Sequence, residues 1–228
     1  MCSIPPVLPS VEIRYFAVTV AIITGVVGTL YNGISIVALV FNKKLLKKPF
    51  TFLLINLAVA DFLYCVLALP IHVLYNIKLG DDSWFIRNFN FCRISALVRY
   101  LNAGIDWWTI TLIAIERYVA ICKVFKHRQI FTVKKTLGML ALMWCLTIFI
   151  MLLTYFGLFG EFVYTRDVEP CDYNFEGVSL VAEHLFRAYF GYLSFLFIIL
   201  SYGAIYRKLR KYRKWRQSAA IQTPVWIS

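Results

Sequence analysis

Acidic residues are scarce in this chain of 228 residues: 12 Asp and Glu stand against 24 Lys and Arg. Charge of either sign makes up only 16% of the sequence, whereas apolar residues make up 61%. Soluble domains sit at about 45–50% apolar, so a water-soluble globule is excluded. No Asn-x-Ser/Thr sequon occurs, and ordinary N-glycosylation is not expected. Internal repeats and low-complexity tracts are also missing. Residues 1–14 lack the basic start, short apolar core and small-residue cleavage site of a removable signal. The first apolar segment is therefore expected to serve as an uncleaved signal-anchor.

The apolar residues gather into five stretches, at roughly 15–41, 51–76, 92–122, 136–159 and 182–206. Each is near or above the ~20 residues that span hydrocarbon as a helix. The expected fold is an all-α membrane protein, a bundle of five transmembrane helices forming one domain over 15–206. Residues 1–14 form an extracellular N-terminus and 207–228 a basic cytoplasmic tail. Charge placement sets the orientation. Lys43, Lys44, Lys47 and Lys48 fill the first connection, and Lys123, Lys126, Arg128, Lys134 and Lys135 fill the third. Arg207, Lys208, Arg210, Lys211, Arg213, Lys214 and Arg216 follow the fifth segment. The second and fourth connections instead hold Asp81, Asp82, Glu161, Asp167, Glu169, Asp172 and Glu176. Basic connections face the cytoplasm, so the N-terminus lies outside. A net charge of +12 distributed this way reflects topology and anionic lipid rather than nucleic acid.

The third segment carries the most specific signal. It opens at Cys92 and closes on Glu116-Arg117-Tyr118, with 25 residues from Cys92 to Arg117. At about 1.5 Å per residue that is roughly 37 Å, one membrane crossing. A cysteine at one mouth and Glu-Arg-Tyr at the other resemble the third helix of the rhodopsin-like (class A) G-protein-coupled receptors. Asn56-Leu57-Ala58-Val59-Ala60-Asp61 resembles that family's second helix. Asn32 with Gly28, Trp84, Trp144 and Tyr202 resemble further family positions. The helix 2–3 region is similar to orphan and Moody-type insect receptors.

The resemblance implies a Cys92–Cys171 disulfide between the third helix and the second extracellular loop. It implies a receptor rather than an enzyme, partnered by an extracellular ligand, membrane lipid and a heterotrimeric G protein. Glu116, Arg117, Tyr118, Phe125 and Tyr202 would serve G-protein coupling, with Glu116 restraining Arg117 at rest and Phe125 entering a hydrophobic pocket of the G protein. Asp61 would sit at the family's sodium site. Of the other cysteines, Cys65 and Cys145 lie within spans as packing residues, and Cys122 lies at the cytoplasmic edge, where palmitoylation is chemically open.

Ionisable groups inside spans are functional candidates because hydrocarbon makes them expensive. Asp61 must be protonated, paired or hydrated. Asp106 lies eleven residues before Arg117, where the family usually has serine facing the sodium site. Two like charges there require a shared Na⁺ or a proton. No other cofactor or metal is expected. Arg99, two turns above Asp106 on the same face, lies at a position that lines the family's ligand pocket. Two readings stand: Arg99 pairs with Glu183 across the bundle, or it anchors an acidic ligand. Tyr100, Ala103, Glu183 and Arg187 are expected around the same pocket, and Glu183 and Arg187 are spaced to pair with each other. Nearby Phe186, Tyr189 and Phe190 suit a lipid or fatty-acid-like tail.

Three departures from the family stand out. Ser194 occupies the place of the fifth-helix proline, and Trp107 replaces an aliphatic residue. The sixth-helix Cys-Trp-x-Pro and seventh-helix Asn-Pro-x-x-Tyr do not occur in these 228 residues. The expectation is thus a truncated receptor comprising helices one to five; the alternative is a non-signalling fragment that pairs with a full receptor. The charge bias makes one direct prediction: an epitope tag placed after Ser228 is protected on intact cells and reached by antibody only after permeabilisation.

Overall fold

The computed structural model describes residues 9–78, 84, 87–164, 171–175 and 177–222. The acidic loop residues Asp81, Asp82, Asp167, Glu169 and Glu176, together with Cys2, fall outside the described residues.

Helix α1 (Val11–Phe41) starts at Ser10, whose hydroxyl accepts from the Ile13 amide, and carries Glu12 in its first turn. Both features suit the positive N-terminal end of a helix. A short 3₁₀ turn (Leu45–Lys47) leads to α2 (Pro49–Lys78), which opens on a proline, where the missing N–H costs nothing. The structure has a π-turn at Tyr64–Ala68 just before Pro70. That wider turn absorbs the backbone strain that a mid-helix proline creates.

The central helix α3 (Phe89–Cys122) is followed by the short helix α4 (Val124–Ile130) in the second cytoplasmic connection. Thr132 caps α5 (Val133–Tyr155) by accepting from the Lys135 amide. Strands β1 (Glu161–Tyr164) and β2 (Cys171–Asn174) then form an antiparallel hairpin with Tyr164 opposite Cys171. The last helix, α6, starts behind the Ser179 cap as Leu180–Arg187, passes through a π-turn at Ala188–Tyr192 and continues as Leu193–Gln222. The π-turn supplies a local distortion in a helix that has Ser194 where the family's proline belongs. Trp108 Nε1 donates to the Tyr189 carbonyl there at 3.1 Å.

The five spanning segments are α1, α2, α3, α5 and α6. Four of them are long and apolar enough to cross a membrane by length and composition: Val11–Phe41, Pro49–Lys78, Val133–Tyr155 and Leu180–Ser218. The fifth, α3, is polar for a span, with Arg93, Arg99, Asp106, Glu116 and Arg117 along it. Its position explains this: α3 packs against α2, α5, α6 and the hairpin, so it meets protein where α1 meets mostly lipid. The outward faces of α1 leave Ile23, Val27, Leu30 and Ile34 exposed, as a lipid-facing helix requires. The hairpin is an addition to the all-α bundle. It caps the outer end, with Phe162 fully buried beside Tyr75, Ala96, Met151 and Phe186.

Gly104 allows α3 and α6 to approach closely. A Cβ at that position would lie 2.6 Å from Phe190 and 2.8 Å from the Thr147 methyl. The Gly104→Ala variant is expected to lose about 1–3 kcal/mol through overpacking, seen as a lower unfolding temperature in lipid discs.

Candidate functional site

Both ends of α3 carry charged constellations. At the outer end, Cys92 and Cys171 form a disulfide, with Cα atoms 5.4 Å apart. The bridge delivers the next residue, Asp172, onto the outer turns of α3. Arg99 Nη2 donates to the Cys171 carbonyl at 2.6 Å and lies 3.2 Å from Asp172 Oδ1. Tyr100 donates its phenol to the same oxygen at 2.5 Å, and the Tyr173 amide donates to it at 2.8 Å. The Arg99 guanidinium also sits 5.2 Å from the Tyr100 ring centre.

This corrects the expected partner of Arg99. Glu183 instead pairs with Arg187 one turn along α6, at 2.9 Å, and the Arg187 guanidinium stacks over Phe175 at 4.6 Å. Loop topology is the reason: the disulfide holds Asp172 against α3, whereas Glu183 is already satisfied on its own helix. Asp172 was legible in principle, because a bridged Cys171 places its neighbour near the Arg99 turn.

Aromatic rings fill the space below. Tyr100 stacks on Phe162 at 5.8 Å and meets Phe186 and Phe190 edge-on at 5.9 and 6.2 Å. Tyr173 lies 4.2 Å from Phe186 and donates to the Phe159 carbonyl. Burial pushes the Tyr173 phenol up to about 12, so it remains a neutral donor at ordinary pH. Ala103 is half-buried on α3, one turn from Arg99.

In the middle of the bundle, Asn56 joins three helices. It donates to Thr109 Oγ1 on α3 and accepts from Trp144 Nε1 on α5, both at 2.8 Å. Asn102 donates to the Ala60 carbonyl at 2.9 Å. Asp61 and Asp106 lie in this layer, and both are partly buried. Asp106 Oδ1 is inaccessible and has no hydrogen-bond partner among the described residues. Among those residues no three His, Cys, Asp or Glu side chains gather as a metal site. Trp107 packs against Phe195 of α6, with ring centres 4.7 Å apart.

At the cytoplasmic end, Glu116 is only 2% exposed. Its Oε2 lies 2.8 Å from Arg117 Nε, an ion contact rather than an aligned hydrogen bond. The Arg117 guanidinium also lies 3.4 Å from the Phe50 ring centre on α2. The other carboxylate oxygen of Glu116 meets His127 Nε2 at 2.8 Å. Sequence reasoning missed His127. The chain breaks direction at Lys123, and α4 folds back so that His127 reaches Glu116. Phe125, on the same short helix, is 94% exposed. Tyr118 is half-buried, and Tyr202 on α6 is half-exposed.

This arrangement matches known proteins. The family model described as 7 transmembrane receptor (rhodopsin family) matches residues 31–224. Proteinase-activated receptor 3 of Homo sapiens is 31% identical over 82% of this chain and 50% of its own length. G-protein coupled receptor 84 of Mus musculus is 34% identical over 53% of this chain and 29% of its own length. G-protein coupled receptor moody of Drosophila pseudoobscura pseudoobscura is 28% identical over 68% of this chain and 22% of its own length. Squid rhodopsin has the same fold, with a TM-score of 0.72 at 17% identity, covering 97% of this chain and 59% of that one. The chain belongs to the rhodopsin family of seven-transmembrane receptors. It is a multi-pass membrane protein and a receptor-family chain rather than an enzyme. It spans about half or less of the length of these curated relatives.

The corrected pairing has a measurable consequence. In a double-mutant cycle on thermal stability, Arg99→Ala and Asp172→Ala are expected to couple by about 1 kcal/mol, because both side chains retain some solvent contact. Arg99→Ala and Glu183→Ala are expected to be additive.

Proposed function

We propose that this chain serves a plasma-membrane receptor, with its N-terminus outside, that binds an extracellular ligand bearing an acidic group and activates a heterotrimeric G protein. The observation that carries the reading is that one helix, α3, holds Arg99 beneath the outer hairpin and Glu116–Arg117 at its inner end. Arg99 and Asp172 keep 26% and 43% of their side-chain surface exposed, so the pair is open to competition. An incoming carboxylate would take the place of Asp172 at the guanidinium, while the aromatic floor of Tyr100, Phe186 and Phe190 would receive an apolar tail. Release of the hairpin would then reach α3 through Cys92–Cys171. At the inner end, parting Arg117 from Glu116 would free the guanidinium for a G protein, and exposed Phe125 supplies an apolar contact beside it.

Asp61 and Asp106 fit a sodium ion or a shared proton. The support is the unpartnered oxygen of Asp106 and the all-oxygen, anionic donors, which suit a hard cation. Na⁺ there would offset the like charges of the two carboxylates, and Asn102 of the same layer ties α3 to α2.

A second reading, a five-helix chain that pairs with an intact receptor, draws on a cleft of about 510 Å³ between α1 and α2. Its lining includes Ala21, Gly25, Thr29, Leu69 and Val73.

The test uses the receptor that carries this chain, with surface expression matched and carboxylates of graded tail length as agonists. Arg99→Ala is expected to raise the half-maximal concentration about thirtyfold, the equivalent of about 2 kcal/mol. Arg117→Ala is expected to abolish G-protein nucleotide exchange while binding persists. A wild-type response in Arg99→Ala would make Arg99 structural. Signalling rescue of a co-expressed intact receptor, with no exchange of its own, would favour the pairing reading.

A further inference from the structure

The inner side of the bundle holds one acid among many bases. The stretches that cover it, residues 31–60, 113–160 and 195–218, contain a single Asp or Glu, which is Glu116. Both of its buried oxygens are engaged. Arg117 Nε stands 2.8 Å from Oε2, and His127 Nε2 stands 2.8 Å from Oε1. His127 is also the only histidine in those stretches. His72 and His184 lie in the outer parts of α2 and α6.

The imidazole is held in place on α4. The His127 amide donates to the Lys123 carbonyl at 3.1 Å, and the His127 carbonyl accepts from the Phe131 amide at 2.8 Å. The ring stacks on Phe131, with centres 5.8 Å apart and planes 24° from parallel, and Phe131 is itself buried. His127 still keeps 25% of its side chain exposed, so it meets cytoplasmic protons that the sealed Glu116 does not. Arg117 is the looser partner of Glu116. Its side chain is 38% exposed, and its contact lacks hydrogen-bond alignment.

Imidazole is the side chain whose charge changes most readily near neutral pH. When His127 is neutral, Arg117 alone balances the buried carboxylate. Parting the two then leaves an uncompensated buried charge, which is costly. When His127 is cationic, the carboxylate stays paired after Arg117 leaves, and the repulsion between the two cations is relieved. Both effects act in one direction: a proton on His127 favours the parted state. Neighbouring charges do not reverse the sign. Lys123, Lys126 and Arg128 on α4, Lys134 and Lys135 on α5, Lys208 on α6 and the lysines of the first connection are all basic. Lys208 Nζ donates to the Ile121 and Cys122 carbonyls, and Lys135 Nζ to the Gln129 carbonyl. Tyr118 and Cys122, the other titratable side chains at this end of α3, carry no positive charge. α2 turns the uncharged ring of Phe50 to Arg117.

We propose that His127 is a positioning residue for Arg117: its protonation loosens the Glu116–Arg117 contact and couples release of the arginine to uptake of a cytoplasmic proton. An ionised Glu116 only accepts, so Nε2 carries a hydrogen and the incoming proton goes to Nδ1. This role presupposes the reading above, in which Arg117 parts from Glu116 when the receptor acts.

NMR of the imidazole nitrogens reads the charge of His127 in the full chain in lipid discs, with His127→Asn identifying the signal. Near neutral pH, wild type is compared with Arg117→Gln, which mimics the parted state, and with Glu116→Gln, which removes the anion. The ratio of cationic to neutral imidazole is expected to rise about tenfold in Arg117→Gln and to fall about tenfold in Glu116→Gln. In the receptor that carries this chain, agonist-free nucleotide exchange is compared at about pH 7.5 and about pH 6.5, with surface expression matched. Acidification is expected to raise exchange in wild type. His127→Gln, which keeps a hydrogen-bond donor, is expected to show no such rise, and His127→Arg to be high at both values. An unchanged ratio in Arg117→Gln overturns the proposal. So does a wild-type pH response that survives in His127→Gln or runs in the opposite direction. Exchange absent from every variant at both values, with the expected NMR ratios, contradicts the G-protein reading and leaves the proton coupling standing.

Discussion

A charged helix in hydrocarbon must have its charges matched, and the rest of this structure follows from that requirement. α3 carries five ionisable side chains along a single span, more than a lipid-facing helix tolerates. It therefore occupies the centre, and its neighbours supply the partners. The hairpin brings Asp172 to Arg99. The end of α5 brings the Tyr155 carbonyl to Arg93, whose guanidinium also lies over the Tyr155 ring. α4 brings His127 to Glu116, which Arg117 already holds. Each partner comes from a connection or helix end, the parts of a membrane protein where polar backbone and water meet the bundle.

These pairings join the two faces mechanically. The outer pair is covalently fixed by Cys92–Cys171 to a hairpin that closes over an aromatic floor. The inner pair is fixed by α4 and by Phe50 on α2. Between them, α3 is one unbroken helix of 34 residues. Displacement at one end therefore has a stiff element through which to act. The hydrogen bonds of Asn56 to Thr109 and Trp144 hold α2 and α5 to that element at mid-depth.

The helices were legible because length and hydropathy are local properties. Arg117 beside Glu116 and the bridge between Cys92 and Cys171 followed from motifs in a fixed order. The partner of Arg99 was not legible from helical spacing, because Asp172 comes from a loop 73 residues away, placed by the disulfide. His127 was hidden for a similar reason: only the change of direction at Lys123 returns it to Glu116. The hairpin strands are four residues each, too short for periodicity to mark. The two π-turns were invisible because they depend on how a helix fits its neighbours rather than on composition.

Asp106 Oδ1, on α3, is inaccessible and has no hydrogen-bond partner among the described residues. The account assigns its partner to a cation or a proton shared with Asp61. The most direct test is the unfolding temperature of wild type and Asp106→Ser in lipid discs, with sodium chloride compared to choline chloride at equal ionic strength. The account predicts that sodium raises the wild-type midpoint but not the variant's, and that without sodium the variant is at least as stable. A variant that is strongly destabilised without sodium, or that responds to sodium as wild type does, would contradict it.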